Sequence, residues 1–115
     1  MDRDHRLRKG QEFDRTYREG TVFSGPLLVL RVAPNGLGRT RWGFAVGKRI
    51  SKKAVDRNRV RRRLRELART LAVAEGYDVV VTARNGALEA SSLQLGKGLA
   101  RIVARSPLQG EARRA

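Results

Sequence analysis

The chain contains no cysteine and a single histidine, His5. No disulfide framework, thiolate nucleophile or zinc cluster can be built from it. The absence of cysteine fits a reducing compartment, and the reading is cytoplasmic. Acid is scarce: 11 Asp and Glu stand against 26 Lys and Arg, a formal net charge of +15. Such an imbalance works against compaction and calls for an anionic partner. No apolar run approaches the roughly 20 residues that span a bilayer. The opening Met1-Asp2-Arg3-Asp4-His5-Arg6 leads into no apolar signal region. Nucleic acid is the expected partner and a membrane is not, although charge alone leaves a basic membrane-surface protein open. With 115 residues, 40% of them apolar, one small domain with a modest core is expected.

Patterning places the elements. Arg3 to Lys9 is basic and reads as irregular. Gln11 to Glu19 reads as a short helix with Phe13 and Tyr17 on one face and Gly20 as C-cap. Thr21 to Phe23 is a candidate short strand. Pro26 to Val32 is a strand, Pro34-Asn35-Gly36 a turn, and Arg41 to Val46 an alternating strand expected to pair with the previous one. In that strand Gly43, Ala45 and Gly47 form a small face that admits a close neighbour. The longest helix is expected from Ala54 to Ala74, stopped by Gly76. Tyr77 to Ala83 reads as a buried strand, and Ser91 or Ser92 as the cap of a last helix carrying Leu95, Leu99, Ile102 and Val103. The domain is expected over residues 1–105, with 106–115 as a flexible tail. The class is α+β, with a mixed sheet and a crossover between strands.

The basic charge is concentrated. Ten of the 18 residues from Lys48 to Arg65 are Lys or Arg and only Asp56 is acidic, so +9 of the +15 lies there. A solvated helix face normally mixes signs. With Val60 at zero, Asn58, Arg62, Arg65 and Arg69 fall at about 160°, 200°, 140° and 180°, opposite the apolar stripe. Arg59 and Arg63 flank that stripe on one side and Arg61 on the other, while Arg57 lies near it. Guanidinium forks suit phosphate oxygens and stack on bases, which points to structured RNA or DNA.

Arg57-Asn58-Arg59-Val60-Arg61-Arg62-Arg63-Leu64-Arg65-Glu66 resembles the Arg-Asn-Arg signature of the bacterial ribonuclease P protein family. Three other blocks agree in order: Arg6-Leu7-Arg8-Lys9 with Glu12-Phe13, Tyr17 and Gly20; Gly43-Phe44-Ala45-Val46-Gly47-Lys48-Arg49; and Tyr77-Asp78-Val79-Val80-Val81-Thr82-Ala83-Arg84. The resemblance runs from about Arg6 to Arg105. It implies a ribosomal-protein-like α+β sandwich of order α-β-β-(β)-α-β-α with a left-handed crossover. It also implies a protein subunit that joins a catalytic RNA and binds the 5′ leader of precursor tRNA. The RNA with its Mg²⁺ then performs the endonucleolytic removal of that leader, and no obligate protein partner is implied. Arg57, Asn58, Arg59, Arg61, Arg62 and Arg65, with Lys48, Arg49 and Lys52, would contact the catalytic RNA. Phe13, Tyr17 and Arg6 would contact the leader.

The residues themselves support an accessory role, with no catalytic residue and no metal ligand assigned. A two-metal nuclease needs clustered carboxylates; here the acids are dispersed, and Asp2 and Asp4 sit at the terminus. From the residues alone Phe13 and Tyr17 read rather as rings that anchor their helix to the core, a reading the resemblance reverses, and Trp42 reads as packing. The family often carries an aromatic on the strand matching Leu27 to Val32, where this chain has Arg31. A basic ribosomal or ribosome-associated protein is the alternative. A DNA-binding regulator would require a helix-turn-helix pair or a dimer seam, and neither is evident.

Overall fold

The structure is a computed structural model and describes residues 3–8 and 10–109. A short 3-10 helix, Arg3–His5, precedes α1 (Gln11–Glu19), β1 (Thr21–Ser24), β2 (Leu28–Pro34) and β3 (Arg41–Ala45). Then follow α2 (Ala54–Arg69), β4 (Tyr77–Ala83) and α3 (Ser92–Ala104). The strands form one mixed sheet in the order β1-β2-β4-β3.

The expected pairing of β3 with β2 is therefore corrected. β4 inserts between them, antiparallel to β2 from Leu28↔Ala83 to Pro34↔Tyr77 and parallel to β3 from Arg41↔Asp78 to Ala45↔Thr82. The β-branched run Val79-Val80-Val81 is fully buried and takes a central position, while the alternating, shorter β3 becomes an edge. A parallel neighbour needs a crossover, and α2 supplies it.

Alternation divides the sheet into two faces. Leu28, Leu30 and Val32 of β2, Val79 and Val81 of β4, and Trp42 of β3 enter the main core. Val60, Leu64 and Ala68 of α2 meet them there, with Leu95, Leu99, Ile102 and Val103 of α3. Trp42 is thus a packing residue, its ring parallel to that of Phe44 at 6.2 Å between centroids.

Two boundaries differ clearly from expectation. α2 ends at Arg69 rather than Ala74. The Thr70 hydroxyl donates to the Leu67 carbonyl at 2.8 Å and the chain turns there, well before Gly76. Leu71 and Val73 still pack against the core from irregular backbone. The tail is not loose from residue 106: Ser106 and Leu108 are buried, and the Ala74 N–H donates to the Leu108 carbonyl at 2.7 Å. Lys9 and residues 110–115 lie outside the described residues. The α3 cap is Ser91, in a reciprocal box: its hydroxyl accepts from the Gln94 N–H at 3.1 Å, and Gln94 Oε1 accepts from the Ser91 N–H at 2.8 Å.

The other face carries α1 and a polar knot centred on Asp78, whose side chain is fully buried. Arg41 donates to both carboxylate oxygens, Nε to Oδ1 at 2.8 Å and Nη2 to Oδ2 at 2.7 Å. Asn35 Nδ2 donates at 2.9 Å and Arg15 Nη2 of α1 at 3.0 Å. Arg41 also pairs with Glu12 at 3.1 Å. Burial alone would push the Asp78 carboxyl up, but the bonds from Arg41, Asn35 and Arg15 outweigh it and hold the carboxyl below its ordinary value.

Because the folded carboxyl titrates lower than the unfolded one, its stabilisation is complete above the ordinary carboxylate range and is lost as pH falls through the folded value. Melting temperature should fall on acidification below about pH 4. Asp78→Asn should cost about 1.5–3 kcal/mol in urea unfolding at pH 7, since it weakens charge-assisted hydrogen bonds from Arg41 and Arg15 and leaves these cations only Glu12 and Glu19 as partners. It should also remove part of that acid dependence, and a variant as stable as the parent at pH 7 would show that the knot contributes nothing.

Candidate nucleic-acid interface

α1 is short and amphipathic, and it lies across the sheet rather than along a strand. Val22, Arg31, Val80 and Gly43 pair in register and form one row across β1, β2, β4 and β3. Phe13 sits above Gly43 at the β3 end: a Cβ added at Gly43 would lie 2.7 Å from Phe13 Cε2 and 3.2 Å from Leu7 Cδ1. The small face expected on this strand is therefore where the ring seats. Tyr17, one turn further on, lies over β2 with the Arg31 guanidinium 3.9 Å from its ring centroid, a cation–π contact. Phe13 is half-buried, whereas Tyr17 keeps 47% of its surface. Tyr17 is thus not a core anchor; Phe13 is partly one.

At the β3 edge the chain builds a cavity of about 560 Å³. The N-terminal segment closes one side through a bridge between Arg6 and Trp42, with the Leu7 N–H donating to the Trp42 carbonyl at 2.9 Å. Phe13 comes from α1, Trp42 and Phe44 from β3, and Arg61 and Arg65 from α2. The structure therefore brings together Arg6 and Phe13, expected at a leader, with Arg61 and Arg65, expected at a catalytic RNA. Arg61 is oriented by bonds to Asn58 Oδ1 and, at 3.4 Å, to the Val46 carbonyl.

The remaining basic residues spread outward from this cavity. Asn58, Arg59 and Arg62 are exposed on α2. Arg57 is half-buried and donates to the Ser51 carbonyl at 2.9 Å, so it helps hold the loop before α2 as well as carrying charge. Lys48, Arg49 and Lys52 are exposed on the β3–α2 loop, and Arg49 lines a separate depression with Arg84. Glu66 is held below the ordinary carboxylate range by its hydrogen bond from Arg69 at 2.8 Å. Among the described residues, Arg59, Arg62 and Arg65 form no ion pair.

The sequence reading missed Arg41, Asp78, Arg15 and Glu12, which hold α1 in place. One signal for them was visible: an aspartate opening an otherwise apolar strand. Glu12 and Asp78 are the carboxylates that come together at Arg41, but their oxygens are occupied by guanidinium, amide and backbone donors. No three His, Cys, Asp or Glu side chains gather among the described residues. Among the described residues, no carboxylate cluster is present that would hold Mg²⁺ by protein ligands alone.

A four-stranded mixed sheet with helices on both faces and a strongly basic helix beside an edge cavity defines an RNA-binding α+β domain. The family model described as Ribonuclease P matches residues 1–106, and the chain belongs to that family. The ribonuclease P protein component of Caldanaerobacter subterraneus subsp. tengcongensis is 39% identical over 111 residues, covering 95% of each chain. The solved ribonuclease P protein of Staphylococcus aureus superposes with a TM-score of 0.80 at 25% identity, covering 90% of this chain and 96% of that one. That of Thermotoga maritima gives 0.80 at 26% identity, covering 88% and 96%.

Gly43→Ala tests whether the ring seat matters. The added methyl cannot coexist with Phe13 in place, so the ring and α1 must shift, at a cost of about 1–3 kcal/mol. For a domain of this size the melting temperature should drop by several degrees. An unchanged melting curve would show that Phe13 is free to leave its seat.

Proposed function

We propose that the chain is the protein subunit of a ribonuclease P ribonucleoprotein and works by binding rather than by catalysis. The outward face of α2, with Asn58, Arg59, Arg62 and Arg65, and the loop cations Lys48, Arg49 and Lys52, take the backbone of a catalytic RNA. Arg6, Phe13 and Tyr17, along α1 and the β3-edge cavity, take the single-stranded 5′ leader of precursor tRNA. Cleavage of the leader junction, and the Mg²⁺ it needs, belong to the RNA. The observation that carries this reading is the convergence of Arg6 and Phe13 with Arg61 and Arg65 around one cavity. Such an arrangement offers stacking rings on one wall and phosphate-binding forks on the other. No helix among the described residues is long and apolar enough to cross a membrane, and the proposed setting is the cytoplasm.

The chain's residues then have separable tasks. Tyr17 supplies a stacking surface for an unpaired base. The α2 forks neutralise phosphates and fix the register of the particle on the RNA. Holding a leader next to the bound RNA converts its capture into an intramolecular event, which raises affinity for substrate over product.

Reconstitution with a refolded ribonuclease P RNA at low Mg²⁺, assayed on precursor tRNA, tests the proposal. RNA-free protein should give no site-specific cleavage. In the particle, Tyr17→Ala should weaken precursor binding by roughly 1–3 kcal/mol, the scale of one stacked base, and leave mature tRNA unaffected. Replacing Arg62 and Arg65 by Ala should lower the slope of log affinity against log salt by roughly 0.7–0.9 for each lost contact. Equal losses for both tRNAs, or an unchanged slope in a folded variant, would remove the corresponding assignment.

A further inference from the structure

A second cationic surface lies on the far side of the molecule from the β3 edge. Lys97, Arg101 and Arg105 recur every four residues along α3 and its C-cap, and all three are exposed. That spacing sets one cation per ~6 Å along a helix, close to the step between successive phosphates of an RNA strand. The α3 sequence Ser92–Ala104 contains no acid. Beside the row opens a cavity of about 390 Å³, floored by Pro26, Leu27 and Ile102 and lined by no carboxylate.

The rim of this cavity is fixed rather than loose. Arg105 Nη2 donates to the Ser24 carbonyl at 2.7 Å, and Arg84 Nη1 donates to the Gly25 carbonyl at 2.8 Å. These bonds hold the β1–β2 turn from two different elements. Gly25 is pressed so closely that a Cβ there would lie 2.9 Å from Ile102 Cδ1. An apolar slot with cations along one lip suits an apolar, flat group flanked by anions.

We propose that this face binds an unpaired nucleotide of the catalytic RNA, its base in the slot and its flanking phosphates on Lys97 and Arg101. The choice of occupant rests on the functional reading above and on continuity. α2 and α3 pack side by side on the same face of the sheet, and Arg63 Nη1 of α2 donates to the carbonyl of Ala90, in the loop just before α3, at 3.2 Å. Tyr17 and the Arg31 it stacks on lie on the opposite face. An RNA seated on the outer side of α2 therefore extends over α3 without crossing the sheet, whereas a leader on α1 does not reach it. The two basic surfaces flank the helical layer, so the same RNA touches the protein at two points.

The lack of cysteine makes the test direct. Ala100→Cys, exposed on α3, and Glu66→Cys, exposed on α2, each carry one thiol-linked iron chelate in the full-length chain. The probes are refolded ribonuclease P RNA and precursor tRNA, each bound separately and together. The expected result is hydroxyl-radical cleavage of the catalytic RNA from both positions, at different sites. Adding Lys97→Gln and Arg101→Gln should abolish cleavage from position 100 only and lower the salt slope of RNA affinity by roughly 0.7–0.9 per contact. Cleavage from position 66 but not from 100, or from 100 only in precursor tRNA, overturns the inference. Cleavage from neither overturns the functional reading beneath it. A circular-dichroism melt of the doubly substituted chain should match the parent, because both side chains are exposed.

Discussion

One buried carboxylate holds the α1 side of the sheet together. Asp78 receives donors from β3, from the β2–β3 turn and from α1, so three elements separate in sequence meet on a single charge. In a chain of net charge +15, Arg15 and Arg41 would otherwise repel each other across that face. The ion pairs do not merely fill a polar gap. They place α1 across the strands, which seats Phe13 over Gly43 and Tyr17 over Arg31. A buried ion pair is weak evidence for net stability, and positioning is the role this one is best suited to.

The few acids are spent where they organise the protein. Glu12 joins Arg41 and accepts the Arg8 N–H at 2.9 Å, tying down the N-terminal segment. Asp56 accepts from the Ser51 hydroxyl at 3.0 Å at the start of α2. Glu66 is paired to Arg69 at the far end of that helix. Elsewhere on α2, Arg59, Arg62 and Arg65 form no ion pair with the described residues, and their mutual repulsion remains uncompensated by them. Leaving that repulsion in place weakens the free protein and strengthens any complex with a polyanion, because the partner removes it.

Much of this was legible in the sequence. The 3.6-residue pattern located α1 to the residue, and the β-branched run located β4. The Arg-Asn-Arg block marked the basic helix before any geometry was known. What failed was long-range. Alternation in β3 marks a half-buried strand but carries no information about its partner, so the insertion of β4 was invisible. The early end of α2 depends on the Thr70 hydroxyl competing for the Leu67 carbonyl, a local contest that periodicity does not register. Leu108 is the one large apolar residue of residues 106–115, and its inward turn shows only in the structure, where its carbonyl accepts from the Ala74 N–H. At the site, Arg61 and Phe13 belonged to separate expectations because they lie 48 positions apart, and only the β3 edge brings them to one cavity.

Arg31 gives the α1 face a character of its own. Its guanidinium covers one side of the Tyr17 ring and keeps its charge while doing so, since stacking satisfies the cation's flat face without using its N–H edge. The edge stays available to phosphate or base acceptors. The covered ring face does not, so in the proposed reading a base stacks on the other side of Tyr17 and its neighbouring phosphate meets the Arg31 edge. A second aromatic at this strand position would offer stacking without charge. Exchanging it for a guanidinium therefore shifts recognition of a single strand from base stacking toward the backbone. That shift makes binding at this face more dependent on ionic strength and less dependent on which base is presented.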